Sequence, residues 1–200
     1  MFNCMIAGVG GQGTVLASKL IAAAAMKRGF DVRTTETIGM AQRGGSVISH
    51  IRIGENTSGI FSPIIPPGKA HAIIAFEPAE AVRQLTFLSM QGRLVVCGTA
   101  VKPVGSSENS QGNPYEGAVM IGFLKDNVAN LTVIEGREIM EHYAKALNVA
   151  MLGAAAEGNT FPFDAETLKE VLPEIVPERF VELNISAFEL GRRLYNECDE

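Results

Sequence analysis

The sequence has few cysteines and no closely spaced pair of them. Cys4, Cys97 and Cys198 are far apart and odd in number, and no CxxC pair occurs. This pattern does not indicate a secreted disulfide framework and fits a reducing cytosol. It also excludes a four-cysteine iron–sulfur cluster, so any role in electron transfer has to be shared with another chain.

The sequence also has fewer basic than acidic residues. The 200-residue chain carries 17 basic and 22 acidic residues, which gives a formal net charge of −5. Proteins that bind nucleic acids or anionic membranes need a basic surface. The composition therefore argues against both functions.

Long apolar stretches are missing as well. No apolar run approaches the roughly 18 residues that a transmembrane helix needs. The chain begins with a strand-like run, Phe2–Ala7, without a charged leader. We therefore expect a cytoplasmic protein that forms one domain over residues 1–200, a length that buries about 70% of the surface of the unfolded chain.

Apolar runs and helical periodicity alternate along the chain. The continuous run at 2–9 is typical of a central, buried parallel strand, and a helical pattern follows at 12–28. The alternation predicts a three-layer α/β/α fold around a Rossmann-like, mostly parallel sheet. Further strands are predicted at 30–35, 47–53, 70–76, 94–97 and 131–134, and further helices at 78–89, 118–127, 137–147, 149–156, 165–172 and 178–196.

Two segments depart from this regular alternation. The turn-forming residues at 54–56 predict an antiparallel hairpin that joins the strand at 47–53 to residues 58–62. The segment 99–117 is rich in Gly, Ser, Asn and Pro and longer than most ordered connections, so it is either a functional lid or a mobile surface loop.

A glycine-rich turn, GVGGQG at 8–13, lies between the first predicted strand and helix. Backbone N–H groups of such a turn can approach an anion closely at a helix N-terminus. Gly8, Gly10 and Gly13 also satisfy the GxGxxG pattern of dinucleotide-binding proteins, with Glu36 placed to contact a ribose. A nicotinamide or flavin site is therefore one interpretation of the turn.

A second glycine motif, Arg43-Gly44-Gly45, follows the second predicted strand. An arginine on such a loop suits bidentate capture of a carboxylate or phosphate, and it equally suits an exposed position beside a turn. This motif has no role in an ordinary nicotinamide-binding unit.

Other polar residues give weaker signals. His50, His71 and His142 have no metal-ligand spacing, so we predict structural roles for them, and the sequence predicts neither a metal site nor a catalytic residue. Glu77-Pro78 follows a predicted strand where open α/β sheets bind ligands, but the pair also suits the start of a helix.

Five separated blocks together resemble the gamma-type subunit of the 2-oxoacid:ferredoxin oxidoreductases. Met40-Ala41-Gln42 ahead of Arg43 is most similar to the indolepyruvate type within that family. The match covers nearly the whole chain in the expected order. The blocks are GVGGQG at 8–13, GMAQRGGSVISHIRIG at 39–54, FEPAEAVR at 76–83, NVAMLG at 148–153 and NISAFELG at 184–191.

The resemblance implies a gamma-type catalytic domain of a larger enzyme. Such an enzyme decarboxylates a 2-oxoacid with thiamine diphosphate and passes electrons through iron–sulfur clusters to ferredoxin and the acyl group to coenzyme A. Thiamine diphosphate, magnesium and 4Fe–4S clusters are expected on a large partner subunit, while this chain encloses the active site and contacts coenzyme A. The cofactor-binding residues that the resemblance implies are Gly10, Gly11, Gln12, Gly13, Arg43, Gly44 and Gly45.

The resemblance leaves two rival functions and two departures. The rivals are a stand-alone NAD(P)- or flavin-binding oxidoreductase and a scaffold that only stabilises its partner; an isolated chain is also expected to be capable of forming a homodimer. The departures are His71, where relatives often carry an acidic residue, and a long insertion at 105–117. Both weaken any inference about the 2-oxoacid.

Overall fold

A computed structural model describes residues 1–39, 45–55, 59–99 and 117–198. These residues form one six-stranded sheet with helices on both faces. The strands are β1 (Phe2–Val9), β2 (Phe30–Ile38), β3 (Ser46–Glu55), β4 (Ala70–Ala75), β5 (Leu88–Cys97) and β6 (Asn130–Ile134). The helices are α1 (Thr14–Lys27), α2 (Pro78–Gln84), α3 (Gly117–Asn127), α4 (Arg137–Tyr143), α5 (Leu147–Glu157), α6 (Ala165–Ile175) and α7 (Val181–Cys198).

The strand order is β2-β3-β1-β4-β5-β6. Strands β1, β4, β5 and β6 are mutually parallel, whereas β3 runs antiparallel to both of its neighbours. The predicted α/β fold with a mostly parallel sheet and β1 in an interior position is thereby confirmed.

Strand β1 is buried on both faces, which explains its continuous apolar sequence. Cys4 and Ile6 point into the larger core, under α1, α5, α6 and α7, while Met5 and Ala7 point into the smaller core, under α2 and α3. A strand covered by helices on both sides has apolar residues facing both cores, and Asn3, near its start, is the polar exception. This two-sided burial fixes the carboxyl end of β1 in the middle of the sheet.

The predicted partner in the antiparallel hairpin was wrong. Strand β3 pairs with β2, from Phe30 opposite Glu55 to Ile38 opposite Val47, and not with the residues after it. Residues 59–62 are not a strand, because Gly59 has a φ of +72° and the N–H of Phe61 folds back onto the Gly59 carbonyl. The connection between β2 and β3 therefore contains the Arg43-Gly44-Gly45 motif.

The helix predicted at 78–89 was too long at its C-terminal end. Helix α2 ends at Gln84, a single 3-10 turn covers Leu85–Phe87, and β5 begins at Leu88. The strand begins this early because Leu88 pairs with Ala70 of β4, a contact that local sequence does not reveal.

His50 is buried under the segment after β3, where its Nδ1 accepts a hydrogen bond from the backbone N–H of Ile65 at 3.3 Å. Burial lowers the pKa of His50 from its usual 6.5. A protonated ring cannot accept this hydrogen bond at Nδ1. As the pH falls below the usual pKa of histidine, the unfolded state therefore binds more protons than the folded state, and the free energy of unfolding decreases.

We therefore expect the contribution of His50 to the free energy of unfolding, measured in denaturant as the difference between the native chain and His50→Asn, to decrease as the pH falls from about 7 to 5. His50→Asn keeps an acceptor at the δ position and should flatten the slope. Some slope should remain, because burial also lowers the pKa of His71. An unchanged slope in the variant would refute the assignment to His50.

Within the described ranges, no helix has both the length and the apolar character required to cross a bilayer.

Candidate functional site at the carboxyl edge of the sheet

The carboxyl ends of β1 and β4 lie side by side and mark the point where the chain reverses its direction across the sheet. From β1 the chain builds β2 and β3 on one side, then crosses to β4 on the other. Ala7 pairs with Ala75, and the N–H of Phe76 continues the ladder to the Ala7 carbonyl at 2.8 Å. Open α/β sheets bind ligands at such a switch point.

The glycine turn occupies this position. Gly11 has a φ of +101° and Gly13, which precedes α1, has a φ of +76°. Residues with side chains rarely adopt these left-handed conformations. Gly10 and Gly11 are exposed, so the outer rim of the turn faces away from the core.

The side chain of Gln12 stabilises the glycine turn through hydrogen bonds to the backbone at the ends of β1 and β4. Its Oε1 accepts the backbone N–H of Val9 at 2.8 Å, and its Nε2 donates to the carbonyl of Phe76 at 3.4 Å. The backbone N–H of Gln12 also donates to the Val9 carbonyl at 3.1 Å. The side chain that the sequence placed among the ligand contacts thus joins the ends of β1 and β4.

Asn148 supports the turn from below and was missed by the sequence reasoning. This residue of α5 is 2% exposed and its Nδ2 donates to the Gly13 carbonyl at 3.1 Å. A Cβ on Gly13 would lie 2.6 Å from that nitrogen, so the contact requires glycine. The available signal was a single amide in the otherwise apolar start of α5.

The end of the second glycine motif lies against the first. The N–H of Gly10 donates to the Gly45 carbonyl at 2.9 Å, and the N–H of Gly39 donates to the Ser46 carbonyl at 2.8 Å. Arg43 and Gly44 lie outside the described residues. The hairpin thus brings its own closing residues to the glycine turn.

Three backbone N–H groups of the glycine turn make no hydrogen bond within the described residues. Among the described residues, the N–H groups of Gly11, Gly13 and Thr14 have no acceptor. Free N–H groups at the start of a helix attract anions, because they combine open donors with the positive end of the helix dipole. The geometry is therefore suited to an anionic group.

Glu77 begins α2 at the end of β4. Its Oε2 accepts the backbone N–H groups of Ala79 and Glu80 at 3.0 and 3.2 Å, while its buried Oε1 has no partner among the described residues. Burial raises the pKa of this carboxyl, and the two backbone hydrogen bonds oppose the rise. The two hydrogen bonds to Oε2 agree with the interpretation of Glu77 as a helix-start residue. That interpretation assigns no contact to Oε1.

Glu80 forms a second buried carboxylate beside the turn. The group is fully buried, its Oε2 accepts the Ser46 hydroxyl at 2.6 Å, and its Oε1 is paired with Arg83. Ser46 is the first residue of β3, so this contact ties α2 to the closing end of the hairpin.

Glu36 does not stand where a dinucleotide site needs it. Because β3 lies between β1 and β2, the residue is two strand spacings, about 10 Å, from β1. Its Oε1 instead accepts a long hydrogen bond of 3.4 Å from the Ser18 hydroxyl of α1. The strand order thus disfavours the nicotinamide interpretation.

In the parts of the chain that the structure describes, no group of three or more His, Cys, Asp or Glu side chains is arranged to hold a metal ion.

A family model places the chain among known proteins. The model described as pyruvate ferredoxin/flavodoxin oxidoreductase matches residues 3–194, almost the full length. The chain belongs to this family. The resemblance found in the five sequence blocks is thereby confirmed.

Curated relatives within the oxidoreductase family match over at least 94% of their length. Indolepyruvate oxidoreductase subunit IorB of Archaeoglobus fulgidus is 36% identical, over 98% of this chain and 94% of the relative. The subunit of the same name from Pyrococcus horikoshii is 34% identical, over 98% of this chain and 96% of the relative.

Solved structures show the same fold at lower identity. The gamma subunit of a keto/oxoacid ferredoxin oxidoreductase from Geobacter sulfurreducens superposes with a TM-score of 0.68 at 21% identity, covering 98% of this chain and 99% of that one. A 2-oxoglutarate:ferredoxin oxidoreductase from Magnetococcus marinus gives a TM-score of 0.68 at 20% identity, covering 98% of this chain but only 31% of that longer chain. The family fold therefore occurs both as a separate subunit and as part of a larger polypeptide.

Of the two departures that the resemblance led us to expect, one lies within the described residues. His71 stacks on Phe2, with ring centroids 5.6 Å apart, and its Nδ1 accepts the N–H of Asn3 at 3.0 Å. These contacts lie at the amino edge of the sheet, opposite the glycine turn. Apart from its last residue, Gly117, the insertion at 105–117 lies outside the described residues.

Proposed function

We propose that this chain is the small subunit of an indolepyruvate-type 2-oxoacid oxidoreductase and works only with a large partner subunit. The observation that carries the proposal is the match of 34–36% identity, over at least 94% of both chains, to subunits named for indolepyruvate oxidoreductase. The pair oxidises a 2-oxoacid in the presence of coenzyme A, releases CO2, forms the acyl-CoA and transfers two electrons to ferredoxin.

The large subunit holds the cofactors in this proposal. Thiamine diphosphate with magnesium supplies the group that attacks and decarboxylates the 2-oxoacid, and 4Fe–4S clusters carry the electrons. The three well-separated cysteines of this chain favour that division of labour. A cytoplasmic location and contact with ferredoxin through the complex remain part of the proposal.

The contribution of this chain is one wall of a shared site. The free N–H groups of Gly11, Gly13 and Thr14 bind an anionic part of coenzyme A at the rim of the glycine turn. Arg43 and Gly44 are the further predicted members of this wall. Gly45, the described residue that follows them, accepts the N–H of Gly10.

A titration of the isolated chain separates this proposal from the stand-alone oxidoreductase. We expect no saturable change with NAD, NADP or flavin at concentrations up to about 1 mM, which corresponds to a binding free energy weaker than about 4 kcal/mol. Saturable binding of any of these cofactors would contradict the proposal and restore the dinucleotide interpretation of the turn.

A further inference from the structure

Ser46 is a junction between three parts of the candidate site. Its hydroxyl donates to Oε2 of Glu80 at 2.6 Å and its carbonyl accepts the N–H of Gly39 at 2.8 Å. The carbonyl of the preceding residue, Gly45, accepts the N–H of Gly10 at 2.9 Å. The side chain of Ser46 thus connects α2 with the closing end of the hairpin, and the adjacent peptide connects the hairpin with the glycine turn.

The acceptor on α2 is the carboxylate of Glu80, and burying a carboxylate costs free energy. Glu80 is 0% exposed, and a buried carboxylate is tolerated only when its oxygens are hydrogen-bonded or paired. Ser46 satisfies one oxygen and Arg83 the other. Hydrogen bonds to ionised acceptors are about twice as strong as neutral ones, so this contact fixes Ser46 firmly.

The position of Ser46 sets the shape of the turn. Ser46 pairs with Val9, the last residue of β1, so any shift of Ser46 also moves the Gly45 carbonyl. Without that carbonyl, Gly10 loses its acceptor, and the backbone that carries the free N–H groups of Gly11 and Gly13 is no longer held in place. A site for an anion depends on donors whose positions are fixed.

We infer that Glu80 and Ser46 are positioning residues that hold the glycine turn in the shape required to bind an anion. Both act through the backbone of Gly45 and Gly10, and neither contacts the ligand. The identity of the ligand as coenzyme A rests on the proposed function; the positioning itself does not.

The test compares Ser46→Ala, Ser46→Thr and Glu80→Gln in the full chain, with Ser62→Ala as a matched control. The Ser62 hydroxyl accepts the N–H of Ile64 at 3.2 Å, in an exposed segment away from the turn. Two quantities are measured. The amide exchange rate of Gly10 is followed by NMR in the isolated chain, and the KM for coenzyme A is determined in the enzyme reconstituted with its large subunit.

Ser46→Ala is expected to speed the exchange of the Gly10 amide and to raise the KM for coenzyme A, each by about tenfold, as the loss of one charge-assisted hydrogen bond predicts. Glu80→Gln should give a smaller change in the same direction, since an amide oxygen is a weaker acceptor. Ser46→Thr keeps the hydroxyl and should restore both values, and the KM for the 2-oxoacid should stay unchanged in all variants.

Unchanged Gly10 exchange in Ser46→Ala would overturn the inference, whatever happens to KM. If KM for coenzyme A stays constant while exchange rises, the turn is held by Ser46 but is not an anion site, which also contradicts the inference. An inactive reconstituted pair would instead count against the proposed function, and the exchange measurement would still decide whether Glu80 and Ser46 position the turn.

Discussion

Gly191→Ala is expected to destabilise the chain by about 3 kcal/mol or more, because α5 and α7 touch backbone to backbone at this residue. A Cβ on Gly191 would overlap the carbonyl oxygen of Ala150 and lie 2.7 Å from its carbon. The overlap is with main-chain atoms inside a helix, which cannot move aside as a flexible side chain does. The two helices have to separate, and this opens the larger core on the side of β1.

Gly153 on the facing helix should behave in the same way. A Cβ there would overlap the carbonyl oxygen of Phe188 and lie 2.9 Å from its carbon. For a chain of this length, about 3 kcal/mol corresponds to a fall in Tm of roughly 6–12 °C. Denaturant unfolding of each variant gives the free energy directly.

Gly122→Ala is the matched control for both substitutions. Gly122 also lies inside a helix, α3, but no atom of the described residues lies within 4 Å of the position its Cβ would take. Alanine is the better helix former, so this variant should be more stable than the native chain by about 0.5–1 kcal/mol. A loss smaller than about 1 kcal/mol in Gly191→Ala would contradict the close packing of α5 on α7.

The sequence predicted those parts of the fold whose cause is local. The bounds of β1 agree with the structure, since a strand buried on both faces reads as one apolar run and a glycine turn ends it. The start of α2 was readable for the same reason. Pro78 at the first turn and the cap from Glu77 both act within a few residues.

Contacts between distant residues could not be read in this way. The partner of β3 depends on which strand reaches it in space, and its neighbour on the other side, β1, lies far away along the chain. Asn148 contacts Gly13 across 135 residues, and Ser46 contacts Glu80 across 34. Each of these side chains, taken alone, resembles an ordinary polar residue in a helix or strand, so the supports of the glycine turn required the structure.

Gly13→Ala in the reconstituted enzyme is expected to lower turnover by about 10- to 100-fold, the size of effect that a misplacement of about 1 Å produces. The φ of Gly13 is +76°, and an added Cβ would lie 2.6 Å from Nδ2 of Asn148. Forcing alanine into this conformation costs about 1–2 kcal/mol, and the displaced Asn148 releases the Gly13 carbonyl. In the proposed site, this shifts the backbone that carries the free N–H groups of the turn.

Gly29→Ala separates this effect from general backbone strain. Gly29 has a similar φ of +84°, but its Cβ would meet no atom of the described residues within 4 Å, and it lies at the opposite end of α1. Gly29→Ala should lose about 1–2 kcal/mol of stability from this strain alone and keep full turnover. If Gly13→Ala also keeps full turnover in an intact complex, this chain is a scaffold for its partner and does not form part of the active site.

The most direct test is the rate of coenzyme A-dependent reduction of ferredoxin by indolepyruvate, measured while this chain is added to the purified large subunit that carries thiamine diphosphate and iron–sulfur clusters. We expect negligible turnover from either chain alone and a rate that rises to saturation at equimolar amounts. Full turnover by the large subunit in the absence of this chain, or no turnover at any ratio of the two, would contradict the account.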